Sequence, residues 1–193
     1  MRVRGRDFPG KEVKEGGIGM KKHWKILLVL LVAAVLLTGC KTKAPQEAQE
    51  ACESFFAAFT SQDEAALAAV LEGGELSMPA SQMQQLMEEK LAFSIKESKK
   101  DGDTVTISAV ITAVDLEQVL LSLPESVNSQ ETAREALLAA LQKEDVPRKD
   151  FSVEVLLVQQ DGKWVVRMTR DLADALLGGY YSILDKLAEE VGA

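Results

Sequence analysis

The chain has 193 residues, of which 22 are Lys/Arg and 30 are Asp/Glu, for a net charge of −8. Acidity of that order argues against nucleic acid as a partner, because phosphate is repelled by a negative surface. The only histidine is His23, so residues beyond it offer no imidazole for a Ser-His or Cys-His nucleophile and no histidine metal ligand.

Residues 1–19, "MRVRGRDFPGKEVKEGGIG", fit neither a signal nor a folded segment. The stretch Lys14-Glu15-Gly16-Gly17 can be encoded by a purine-rich run that resembles a ribosome-binding site, a few codons before Met20. We therefore expect translation to start at Met20 and residues 1–19 to lie upstream of the true start.

Ile26 to Leu37 is an unbroken run of twelve apolar residues. Crossing a bilayer takes about 20, whereas about 7–15 suit the apolar part of a secretory signal. Lys21, Lys22 and Lys25 supply a basic start, and Leu37-Thr38-Gly39-Cys40 closes the run. That closing tetrapeptide resembles the lipobox of bacterial lipoproteins. The resemblance implies recognition of Leu37, Thr38 and Gly39 by a dedicated peptidase, diacylglycerol on the Cys40 sulfur, and cleavage before Cys40. Residues 20–39 are then the signal and 40–46, "CKTKAPQ", a lipidated tether. Two acyl chains hold a protein firmly on a bilayer where one binds only marginally. The expected location is the outer face of the cytoplasmic membrane.

Residues 1–39 hold eight of the 22 basic and three of the 30 acidic residues, leaving 14 against 27 and a net charge of −13. That balance argues against direct adhesion to anionic lipid, so the diacylglycerol on Cys40 must do the anchoring. With Cys40 acylated, Cys52 has no intrachain partner, and no disulfide framework arises. Residues 47–193 suffice for one domain with a sizeable core.

Ala48, Cys52, Phe55, Phe56 and Phe59 recur at helical spacing, which makes Cys52 a buried structural thiol beside phenylalanines. Ser61-Gln62-Asp63-Glu64 has the form of a capping box opening a second helix, "EAALAAVLEGG", ended by Gly73 and Gly74. A third helix is expected after Pro79, with Met83, Leu86, Met87 and Leu91 on its core side. The pattern then alternates. "LAFSIKES" and "DTVTISAVITAV" flank Asp101-Gly102, a hairpin signal, with Val105, Ile107, Ala109, Ile111 and Ala113 on one face. Asp101 and Asp103 lack further calcium ligands at loop spacing and read as a plain turn. The charge run "EEKLAFSIKESKKDGD" reads as a solvated edge. Asp115 is placed to cap a short helix, "LEQVLLSL", and "SQETAREALLAALQKE" forms another. "DFSVEVLLVQQ" and "KWVVRMT" are joined by Asp161-Gly162 as a second hairpin. "RDLADALLGGYYSILDKLAEEV" is helical except at Gly178-Gly179, and Tyr180-Tyr181 read as packing of a tail helix or as a contact surface.

Two hairpins give about four antiparallel strands, and the early helices pack on one face of a curved sheet, an α+β fold. "FFAAFTSQDEAALAAVL", "AVITAVDLEQVL" and "VEVLLVQQDGKWVVRMTRDLADALLGG" resemble Gram-positive lipoproteins with cystatin-like domains of the nuclear transport factor 2-like superfamily. The resemblance implies a cone whose sheet and helices enclose a pocket. Enzymes of that superfamily place an acid or histidine there. Asp115 and Glu154 are the carboxylates available for such a base, but Asp115 reads as a helix cap and Glu154 as an exposed strand residue.

The expected function is a non-catalytic interaction domain that contacts an envelope protein or wall component, without cofactor or metal. A small-molecule binder using the cone's pocket is the alternative, and an enzyme with a carboxylate base comes third.

Overall fold

The computed structural model describes residues 43–74 and 81–192. The signal at 20–39, the lipobox residues, Cys40 and residues 1–19 lie outside the described residues, as does Pro79. No helix among the described residues is long and apolar enough to cross a membrane.

Helix α1, Gln46–Ser61, carries the phenylalanine stripe, with Cys52 and Phe55 fully buried and Phe56 and Phe59 nearly so. The chain leaves it through Gln62, which takes up a left-handed φ of 56° and donates back to Ala58 and Phe59. Helix α2, Glu64–Val70, opens differently from the capping box expected at Ser61. Asp63 is the cap and accepts from the Ala66 N–H at 2.9 Å, while the Ser61 hydroxyl donates to Ala57 at 2.8 Å. Ser61 is still inside α1, so its hydroxyl is spent on the helix behind it. Helix α2 also stops before Gly73 and Gly74, because Leu71 leaves it to make a parallel bridge to Val166. Helix α3, Gln82–Glu88, is capped by Ser81. Leu91 lies beyond its end and packs with the main core rather than with the α3 methionines.

Strands β1, Ala92–Asp101, and β2, Thr104–Val114, pair antiparallel around a two-residue turn at Gly102-Asp103, one residue later than an Asp-Gly turn would sit. β3, Arg148–Gln160, and β4, Lys163–Arg167, turn at Asp161-Gly162, with φ of 52° and 76°, the positive values a tight hairpin needs. Four strands in the order β1-β2-β3-β4 make one antiparallel sheet. Between β2 and β3 the chain forms α4, Leu116–Leu121, and α5, Gln130–Leu141. α6, Arg170–Leu176, and α7, Tyr180–Val191, follow β4.

The two sheet edges differ. Residues 71–72 lie along β4, where the Glu72 N–H donates to Val166 at 2.9 Å and Arg167 forms a bidentate pair with Glu72 at 2.6 and 2.7 Å. Hydrogen bonding to that guanidinium holds the Glu72 carboxyl below its usual range. Both groups are exposed, so the pair adds little stability. Among the described residues β1 is the open edge; its ladder is interrupted by a bulge between Ile95 and Glu97, and it carries Lys96, Lys99 and Lys100.

The main core lies where α1 and α6 meet one face of the sheet. Val105, Ile107, Ala109, Ile111 and Ala113 of β2 and Val155 and Leu157 of β3 are all buried there, as the alternation required. A second apolar cluster sits beyond the end of β2, built from Met87, Val114, Val119, Leu141 and Val146. The described elements thus form helices packed on a four-stranded antiparallel sheet within one compact unit, Lys41–Ala193.

Candidate functional site

A pocket-based function needs room between the helices and the sheet. Phe55, Phe56 and Phe59 enter that space from α1, with the Phe55 ring 5.3 Å from Phe56 and 6.0 Å from Phe59. They meet Val105, Ile107, Ile111, Val155, Leu157 and Val166 from the sheet and Leu172 from α6, all nearly without solvent exposure. The space that the superfamily resemblance implies as a pocket is therefore, between α1 and the sheet, a packed apolar core. Hydrophobic burial, the main force in folding, has claimed it.

The two carboxylates considered as a base do not converge. The Asp115 carboxylate accepts from the Gln118 N–H at 3.2 Å and caps α4. Glu154 is exposed and pairs across the ladder with Ser108, seven residues before Asp115, which is roughly 20 Å along the strand. Asp101 and Asp103 stand at the β1–β2 turn, and the described residues contain no group of three or more acidic, histidine or cysteine side chains arranged to hold a metal.

Cys52 is sealed in the main core, and burial, helped by the neighbouring charge of Glu53, pushes its thiol from 9.0 up to about 12. A thiol that does not ionise is neither nucleophile nor metal ligand. In a Cys40→Ala chain, where Cys52 is the sole thiol, aromatic disulfide reagents should leave it untouched at pH 8 until denaturant unfolds the domain. Fast labelling in native buffer would contradict its burial. The sign of the pH effect also follows. The neutral thiol is favoured in the fold, so its contribution is whole below pH 9 and is lost as pH rises from 9 towards 12. Cys52→Ala should flatten that alkaline fall in melting temperature.

Glu88 corrects the solvated edge expected of "EEKLAFSIKESKKDGD", of which it is the first residue. It is only 6% exposed, at the end of α3, and its carboxylate accepts from the Gln84 side chain at 2.7 Å. Its burial follows from the tertiary meeting of α3 with α5 and β2, which periodicity within α3 does not reveal. No side-chain polar atom buried among the described residues lacks a partner.

The surface offers shallow features. A groove of about 580 Å³ runs between the start of α1 and the β3–β4 turn, with Glu47 and Glu50 facing Lys100 and Lys163. Lys100 lies over the Trp164 ring at 5.7 Å. A smaller apolar dimple of about 180 Å³ is bounded by Met83, Met87, Leu116, Leu177 and Tyr180. Beside it, Tyr180 is 44% exposed, and α7 buries none of its residues fully. The Tyr180 and Tyr181 rings meet edge to face at 5.5 Å, and Arg170 stacks over Tyr181.

No family model matches the chain, and no curated protein matches it. Among solved structures it is similar to an LEH-like epoxide hydrolase of M. tuberculosis, at 17% identity over 75% of this chain and 95% of that one, with a TM-score of 0.32. A likeness at that score assigns neither fold nor activity to this chain.

Proposed function

We propose that the protein is a lipid-anchored, extracytoplasmic lipoprotein with a cystatin-like, nuclear transport factor 2-like domain that acts through its surface. Anchoring rests on the ordered signal at 20–39 and on the Leu37-Thr38-Gly39-Cys40 sequence, with Cys40 as the acylated residue. The observation that supports a surface role over a pocket is the Phe55, Phe56 and Phe59 cluster filling the space between α1 and the sheet. The separation of Asp115 from Glu154 supports a non-catalytic reading, since convergent ionisable groups are what a general base and its partner require. Its partner is an envelope protein or a wall component.

Metabolic labelling with a fatty acid tests the anchor. The full chain should be labelled and should fractionate with membranes. Cys40→Ala should abolish the label and leave the uncleaved precursor. Equal labelling of the two chains would overturn the lipoprotein reading.

A further inference from the structure

The folded domain begins very close to the cysteine that carries the lipid. Ala44 is only 6% exposed and belongs to the main core, and Pro45 directly precedes α1. The Gln49 side chain donates to the Ala44 carbonyl at 3.4 Å and to Ser98 of β1 at 3.3 Å, which fixes the chain at that point. Between Cys40 and Ala44 stand only Lys41, Thr42 and Lys43. At about 3.5 Å per residue, even a fully extended chain puts Ala44 no more than about 14 Å from Cys40.

Where Ala44 is held decides what lies near the lipid. Lys43 borders a shallow hollow with Lys96 and Ser98, and Pro45 shares the larger groove with Lys100 and Lys163. In the sheet Asp101 pairs with Thr104, Thr104 with Val158, and Gln160 with Lys163, so the β1–β2 and β3–β4 turns stand side by side. The start of α1 and both turns thus form one end of the domain. The excursion through α4 and α5 leaves from the opposite end of β2, about 35 Å away along 11 residues of strand.

Charge divides the same way. The tether and the turn end together, residues 41–50, 96–103 and 159–163, hold six basic and six acidic residues. The other residues after Cys40 hold eight against 21, so the whole net charge of −13 lies there.

We infer that the turn end is the membrane-facing surface of the protein, resting against the headgroup layer of the bilayer that holds Cys40, with the α4–α5 end directed away. The inference rests on the anchored reading above and deepens it, because it assigns the far end to the envelope partner. The short tether supplies proximity, and charge has only to choose the side. An anionic surface acts over about 8–10 Å in physiological salt. It meets a neutral end when the domain stands upright and acidic flanks when the domain lies flat.

The test uses the full, acylated chain purified from bacterial membranes and returned to vesicles of phosphatidylcholine and phosphatidylglycerol that carry a quencher on some headgroups. Asp103→Cys in the β1–β2 turn and Glu144→Cys between α5 and β3 replace exposed residues, so the melting temperature should be retained. With Cys40 acylated and Cys52 buried, each variant offers one thiol to a fluorophore. The label at Asp103→Cys should be quenched several-fold more than the label at Glu144→Cys. Inserting about 20 Gly/Ser residues after Lys41 adds a mean span of about 25 Å and should erase most of that difference. Equal quenching with the natural tether, or stronger quenching at Glu144→Cys, would overturn the orientation. A difference unchanged by the long tether would overturn the part given to the tether. Fatty-acid labelling and vesicle flotation of the same preparations report on the anchor. Chain that takes up no label and does not float removes the anchor and the orientation with it, whereas labelled, floating chain with equal quenching removes the orientation alone.

Discussion

Gly178→Ala should lower the stability of the domain by roughly 2–4 kcal/mol, among the larger losses a single methyl group can cause. Gly178 sits at φ +65°, where an L-residue is strained. The added Cβ would also stand 2.3 Å from the Val114 carbonyl oxygen, a backbone atom that cannot swing aside. That closeness has a structural purpose. The Gly178 carbonyl accepts from the Leu116 N–H at 3.2 Å, so the α6–α7 corner is fastened to the exit of β2. Gly102 and Gly162 have comparable φ values, +58° and +76°, but open space where a Cβ would go. Their alanine variants should lose only the backbone term, about 1–2 kcal/mol. Denaturant unfolding of the three variants separates the two contributions. Equal losses at all three sites would mean that the close approach to Val114 is not rigid.

Phe55→Ala should cost about 3–5 kcal/mol, a large share of the 5–15 kcal/mol by which domains are usually stable. Phe55 has no solvent exposure and lies between Phe56 and Phe59. Removing its ring leaves a cavity that the sheet cannot collapse to fill. Phe93 is the comparison, since it is 38% exposed and stacks on Phe56 from the β1 edge at 4.5 Å. Phe93→Ala should lose about 1 kcal/mol, the scale of an aromatic pair outside the core. The contrast bears on function. If the space beside Phe55 served a ligand, truncation would enlarge a cavity already present and stability would barely change. A thermal melt within a degree of the parent would therefore sink the packed-core reading and revive the pocket.

Much of this fold is legible from local pattern. The β2 residues Val105, Ile107, Ala109, Ile111 and Ala113 alternate inward as written, and the stripe from Ala48 to Phe59 is buried along α1. The β3–β4 hairpin and the break at Gly178-Gly179 follow from short-range chemistry, whereas the β1–β2 hairpin forms with its turn one residue later than Asp101-Gly102. The errors fall where two local signals compete. Ser61 and Asp63 both suit a cap, and the end of α1 decides between them by taking Ser61 first. Leu71 ends α2 early because a distant partner, Val166, offers it a bridge. The site is less legible than the fold. A superfamily resemblance suggests a pocket, but only three-dimensional packing tells whether three phenylalanines line it or fill it. The tail helix reads as packing or as a contact surface at Tyr180-Tyr181, and its periodicity does not say which way Tyr180, Leu184, Leu187 and Val191 point, which is outward. That depends on which residues the rest of the domain covers, and in α7 these are Tyr181 and Ile183.

The bulged, lysine-bearing β1 edge bears on the behaviour of a crowd. Copies of any protein at high concentration meet edge to edge again and again. An unguarded strand in that setting recruits its neighbour, the neighbour recruits the next, and a ribbon grows without limit. The break between Ile95 and Glu97 interrupts the hydrogen-bond template midway, and any copy that approaches it must desolvate the charged side chains of Lys96, Lys100 and the Lys99–Glu97 pair. A strand edge broken and charged in this way gives crowded copies no template along which to join.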